Sequence, residues 1–172
     1  MIKLLGAVLI LFAGAMIGFQ QAAGYAERPR QLRQLAHALQ RLETEIGYGH
    51  TPLPEALERT AAAAPEPIAS IFGKAATGIW ETESFTFRES WEQAVKAQWG
   101  ATSMRGGEQA VLIRLGSTLG ISDKEDQMKH IRLALQQLKA EEDAARDDQA
   151  RYEKMWKSLG ILIAVLIVIL MV

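Results

Sequence analysis

A chain of 172 residues is long enough for one domain of ordinary size. Its net charge of −1 leaves no basic surplus for nucleic acid, and the lack of cysteine excludes a disulfide framework and thiolate metal ligation. Hydrophobic residues make up 49% of the chain, but they gather at its two ends, and the middle is charged.

Residues 4–19 carry no charge, and the apolar character runs on past Gln20 and Gln21 to Tyr25. About 20 residues rising ~1.5 Å each cross a hydrocarbon core, so residues 1–25 are expected to form a transmembrane helix. Gly14 and Gly18 make a small-xxx-small pair of the kind that lets membrane helices pack closely. The competing reading is a signal peptide, with Lys3 ahead of a short apolar stretch and Ala13-Gly14-Ala15 as the cleavage site. Against it, Met16, Ile17 and Phe19 continue the apolar run beyond that site.

Residues 26–158 read as a helical bundle. Pro29 is placed to open a helix, and Leu32, Leu35, Leu39, Leu42 and Ile46 follow at alternating three- and four-residue spacing, which is a helical seam. Gly47 and Gly49 end it. A second helix is expected over 52–64, burying Leu53, Ala56, Leu57 and Ala61. Pro65 and Pro67 separate it from a third, which runs to Trp80 with Ile68, Ile71, Phe72, Ala75 and Ile79 on one face. Thr86 and Glu89 form a capping box for a fourth, whose apolar face is Phe87, Trp91, Ala94, Val95 and Trp99. A fifth runs over 107–119 with Val111, Leu115 and Leu119 inward. Ser122 and Glu125 form a second capping box, after which neither glycine nor proline occurs until Gly160. The sixth helix is therefore long. Its seam is Met128, Ile131, Leu135, Leu138, Glu142, Ala145, Gln149, Tyr152 and Trp156.

Residues 159–172 are again uncharged and are expected to cross the membrane, with Tyr152 and Trp156 as interfacial aromatics among Arg151, Lys154 and Lys157. No stretch alternates with a period of two. The expected fold is all-α: a six-helix bundle flanked by N- and C-terminal transmembrane helices, with the long first and last helices packed antiparallel. Matching residues by distance from the membrane pairs Leu39 with Leu138, Leu42 with Leu135 and Ile46 with Ile131. It also sets Leu35 against Glu142, whose carboxylate is expected to lean outward. Lysine and arginine crowd the domain side of both spans, and by the positive-inside rule the domain is cytoplasmic and both termini lie outside.

Catalytic patterns are missing. No G-x-x-x-x-G-K-[ST] occurs, His37, His50 and His130 are scattered, and no serine sits in G-x-S-x-G. The chain is expected to be no enzyme and to need no cofactor or metal.

Several stretches resemble one family, that of stage III sporulation protein AB. They are Lys3 to Gly6, Glu27-Arg28-Pro29-Arg30-Gln31-Leu32-Arg33, Glu45-Ile46-Gly47-Tyr48-Gly49-His50-Thr51-Pro52-Leu53, Leu119-Gly120-Ile121-Ser122-Asp123 with Gln127, His130 and Ile131, and Arg151-Tyr152-Glu153-Lys154-Met155 with Ser158-Leu159-Gly160. The resemblance implies a role in endospore formation, within a multiprotein assembly in the membranes between mother cell and forespore. It implies a helical domain like the cytoplasmic domain of the type II secretion platform protein. The expected partners are a separate secretion-type ATPase and other membrane subunits of the complex, with no small-molecule substrate. The expected location is the bacterial inner membrane, which becomes the outer forespore membrane during sporulation, with the domain in the mother-cell cytoplasm. The antiparallel register brings Glu45, Tyr48 and Thr51 to the same end of the bundle as Asp123, Gln127 and His130, and that tip is the expected docking surface. The rival readings are a structural anchor without ATPase contact and, ranked last, a small-ligand sensor or adaptor.

Overall fold

The computed structural model describes the backbone over residues 2–49, 51–81, 86–120 and 123–171, and side chains chiefly over 25–152. It is all-helical over the described residues: α1 Ile2–Gly47, α2 Leu53–Ala63, α3 Ile68–Glu81, α4 Phe87–Trp99, α5 Gly106–Gly116 and α6 Lys124–Met171. Two compact units divide the chain. One is Met1–Pro29 with Asp143–Val172, and the other is Arg30–Glu142.

Pro29 does not open a helix. It lies inside α1, which is continuous from Ile2. Proline deletes one backbone hydrogen bond and crowds the preceding turn, and the boundary between the two units falls immediately after it. The expected membrane crossing of residues 4–19 and 159–172 rests largely on side chains outside the described set. Among the described residues, no helix is long and apolar enough to cross a membrane. The close contact expected of Gly14 and Gly18 also lies outside them.

In the Arg30–Glu142 unit, Leu32, Leu35, Leu39 and Leu42 are fully buried and Ile46 nearly so. Burying each such side chain contributes about 1.5–3 kcal/mol before chain entropy is counted. Facing them on α6 are Ile131, Ala134 and Leu138. Ion pairs fix the register. Arg33 Nε lies 3.1 Å from Glu142 Oε1, and Arg132 Nε lies 2.5 Å from Glu43 Oε1. From Arg33 to Glu43 the partner moves backward from Glu142 to Arg132, so the two helices run antiparallel. Interpolating between the pairs leaves Leu39 about 3 Å, or half a turn, from the level of Leu138. The expectation for Glu142 is overturned. Its side chain is buried, with 4% of the residue exposed, and it faces Arg33 and, at 3.5 Å, Lys139. Two cations make burial of the carboxylate tolerable.

The shorter helices complete this core. α2 packs on α3, α3 on α4 and α4 on α5. Trp91 is their centre: fully buried, edge-on to Phe72 at 5.4 Å, and donating from Nε1 to the Leu112 carbonyl at 2.7 Å. The Thr86–Glu89 capping box forms as expected. Leu115 and Leu119 are inward as expected, but the first turns of α5 present a different face. Glu108, Leu112, Leu115 and Gly116 are buried and Val111 is only half-buried, because the Glu108 carboxylate folds back onto the Arg105 N–H at 2.8 Å. Thr60 takes the inward place expected of Ala61, its hydroxyl bonding the Ala56 carbonyl at 2.7 Å. The Gln31 amide oxygen holds the loop before α5 by accepting from the Ser103 N–H at 2.7 Å.

In the other unit Tyr25 and Tyr152 stack with centroids 5.3 Å apart, and the Arg28 guanidinium lies 3.8 Å from Asp148. The Arg151 guanidinium sits 5.9 Å from the Tyr152 ring centre.

Candidate functional site at the turn between α1 and α2

α1 ends where Gly47 meets α6. A Cβ built at Gly47 would lie 2.8 Å from Met128 Sδ. Glu45, Tyr48 and Thr51 therefore do share one end of the Arg30–Glu142 unit with Asp123, Gln127 and His130. The turn is tight. Tyr48 and Gly49 N–H groups both bond the Thr44 carbonyl, and a side chain at Gly49 would collide with the Glu45 carbonyl and Thr51 hydroxyl. His50 lies outside the described residues.

The six expected contact residues divide by the work already assigned to them. Glu45 Oε2 accepts from Thr51 Oγ1 at 3.3 Å and from Arg59 at 3.2 Å, and Arg59 also donates to Glu55 at 2.7 Å. These two carboxylates, Glu55 above all, push the Arg59 guanidinium further into its charged form. Glu45 thus ties the end of α1 to α2. Arg59 was missed in the sequence, although its i,i+4 spacing from Glu55 is visible there. Asp123 Oδ1 accepts from the Asp126 N–H at 2.9 Å, so Asp123 caps α6. The capping expected of Ser122 falls one residue later, and Ser122 itself lies outside the described residues. The Gln127 N–H bonds the Asp123 carbonyl, and His130 is half-buried a turn further on. Tyr48 is 84% exposed.

The arrangement holds a phenol exposed on a tight turn, and that turn is braced by the Glu45, Thr51 and Arg59 contacts. Among the described residues, no group of three or more histidine and carboxylate side chains is placed to hold a metal.

The fold defines a class: over the described residues, an all-helical bundle built on a long antiparallel helix pair. The family model of stage III sporulation protein AB matches residues 3–172, and the chain belongs to that family. It is 45% identical over 171 residues to Stage III sporulation protein AB of Bacillus subtilis (strain 168), covering 99% of both chains. It is also similar to a solved structure of Stage III sporulation protein AB, with TM-score 0.67 and 42% identity, covering 73% of this chain and 98% of the other.

Proposed function

We propose that this sporulation protein is a non-enzymatic membrane platform subunit, lodged in a secretion-like complex between mother cell and forespore and coupling it to a cytoplasmic ATPase. The observation that carries the membrane placement is a row of large apolar side chains left exposed on α6. Met155, Leu159, Leu162, Ile163, Val165, Leu166 and Ile169 are each between 39% and 66% exposed on a helix continuous with the packed bundle. A row of that length is costly in water and is ordinarily covered by lipid or protein. Coupling to the ATPase is assigned to the turn between α1 and α2, with Tyr48 as its anchor, because a rigid aromatic exposed on a braced turn is the kind of residue that dominates interfaces.

One observation favours the rival reading of a structural anchor: Glu45 and Asp123 are both occupied in holding the fold. The test is capture of the complex's ATPase by the full chain in detergent, comparing wild type with Tyr48→Ala. The substitution touches no core packing, so the melting temperature is expected to stay put while ATPase capture falls at least about tenfold, the loss of a hot spot. Equal capture by the variant removes Tyr48 as the anchor. No capture by wild type leaves the anchor reading in place.

A further inference from the structure

Among the described residues of the Arg30–Glu142 unit, the exposed large apolar side chains are Tyr48, Trp80 and Leu133. The packing of the helices brings the two aromatic ones to the same end of the bundle. α3 and α4 run antiparallel, because Gly78 lies against Ser90 while Lys74, a turn earlier, shares a recess with Gln93 and Ala97. Trp80, in the last turn of α3, is therefore level with the start of α4. At that start Phe87 packs on Gly120, where a Cβ would come within 3.0 Å of the ring. Gly120 leads to α6, which opens at Lys124. One turn into α6, Met128 meets Gly47, the neighbour of Tyr48.

The helix starts set the charge of this end. α2, α4 and α6 all open here, and their first turns carry Glu55, Glu89, Glu125 and Asp126, where the helix dipole favours carboxylates. With the capping Asp123 they outnumber the cations Arg59, Arg88 and Lys124. A single exposed hydrophobic residue is ordinary. Two rings on one anionic end have a narrower use. Tryptophan and tyrosine are the side chains that dominate protein interfaces, and negative charge disfavours both an anionic bilayer and nucleic acid. The surface fits a protein face that offers apolar contact to both rings and cationic side chains around them. We propose that Trp80 is a second anchor of the Tyr48 surface, and that the two rings together dock a cationic face of the ATPase. This rests on the coupling assigned to Tyr48 above, and adds to it a residue from another helix and the sign of the partner's charge.

The experiment measures capture of the ATPase by the full chain in detergent across a salt series. Wild type is compared with Tyr48→Ala, Trp80→Ala, Leu133→Ala and the double neutralisation Glu125→Gln with Asp126→Asn, each checked for an unchanged melting temperature. Trp80 is 66% exposed, so its truncation is expected to spare the fold and to weaken capture at least about tenfold. Leu133, about two and a half turns along α6 from its start, is the control, and Leu133→Ala is expected to capture as wild type does. Wild-type capture is expected to weaken with added salt, and the neutralised variant to bind less tightly and respond less to salt. Loss with Tyr48→Ala but not with Trp80→Ala overturns the second anchor and leaves the Tyr48 reading standing. Loss with Trp80→Ala but not with Tyr48→Ala overturns the shared surface and the Tyr48 reading together. An equal loss with Leu133→Ala overturns the assignment to this end, and capture indifferent to salt overturns the cationic partner. No capture by wild type ends the coupling reading and this inference with it.

Discussion

Single residues decide more of this bundle than the hydrophobic pattern suggests. Gly116 is where α5 passes under the Trp91 indole, and a Cβ there would overlap the ring. The same indole donates to the Leu112 carbonyl one turn earlier, so Trp91 cannot swing aside without breaking a buried hydrogen bond. Gly116→Ala is therefore expected to cost about 1–3 kcal/mol through overpacking, although alanine is the better helix former; a denaturant titration measures it. Glu89 provides a second case. Its carboxyl is held below the ordinary value of 4.5, chiefly by the Thr86 N–H and then by the Thr86 hydroxyl. A depressed carboxylate contributes stability that is complete above its ordinary value and is lost as pH falls through the folded value. Glu89→Gln is expected to flatten the acid limb of the stability curve below about pH 4.5 and to leave its shape at neutral pH unchanged, as thermal melts across the pH range will show. The Thr86 and Glu89 side chains were legible in the sequence because their spacing alone specifies the box. Asp123 was not, because Ser122, one residue before it, offers an equally good pattern.

At the scale of elements, the α1–α6 pairing combines a leucine seam with buried charge. The seam was legible because four leucines and Ile46 repeat at helical spacing and every one of them is buried. Leu39→Ala, at its centre, is expected to cost roughly 2–5 kcal/mol, read from the shift in denaturation midpoint. The inward place of Leu115 and Leu119 was legible too, but the face of the first turns of α5 and the burial of the Glu142 carboxylate were not. The period places Glu142 on the seam, but a carboxylate set against Leu35 is expected to lean outward, whereas Glu108 turns back onto a backbone N–H and Glu142 is matched by two cations supplied by distant and local sequence. The partners of Glu142 predict an asymmetry. Arg33 and Lys139 have more than half of their side-chain surface exposed, so both return to water if the carboxylate is removed. Glu142→Leu is expected to be near neutral or stabilising, as replacement of a buried ion by a packed apolar group often is. Arg33→Ala leaves the carboxylate buried with a weaker, longer partner, and is expected to cost about 1–3 kcal/mol. Equal losses from the two substitutions, by chemical denaturation, contradict this account of the buried charge.

At the scale of the whole molecule, continuity of the two long helices was the feature least visible in the chain. Pro29 read as a beginning because the apolar segment before it and the leucine seam after it have different periodicities, yet one helix runs through both. The tip grouping of Glu45, Tyr48 and Thr51 with Asp123 and Gln127 was legible, because it follows from the register of that antiparallel pair; the division of labour within it was not, since Arg59 comes from another helix. The proposed topology rests on the same two helices. Arg28, Arg30, Arg33, Arg146, Arg151, Lys154 and Lys157 lie on the domain side of the two apolar segments, and only Lys3 and the N-terminal amine lie on the other. Arg28 and Arg33 are ion-paired in the fold, but the positive-inside rule counts lysine and arginine and gives little weight to their acidic neighbours. The domain is therefore expected in the cytoplasm and the C-terminus outside. The lack of cysteine makes the test direct. In vegetative cells expressing the full chain, Ala101→Cys, at an exposed position between α4 and α5, is expected to resist a membrane-impermeant maleimide until the cells are lysed. Val172→Cys is expected to react in intact cells. Labelling of Ala101→Cys in intact cells would invert the topology, remove the domain from any cytoplasmic ATPase, and end the coupling proposal.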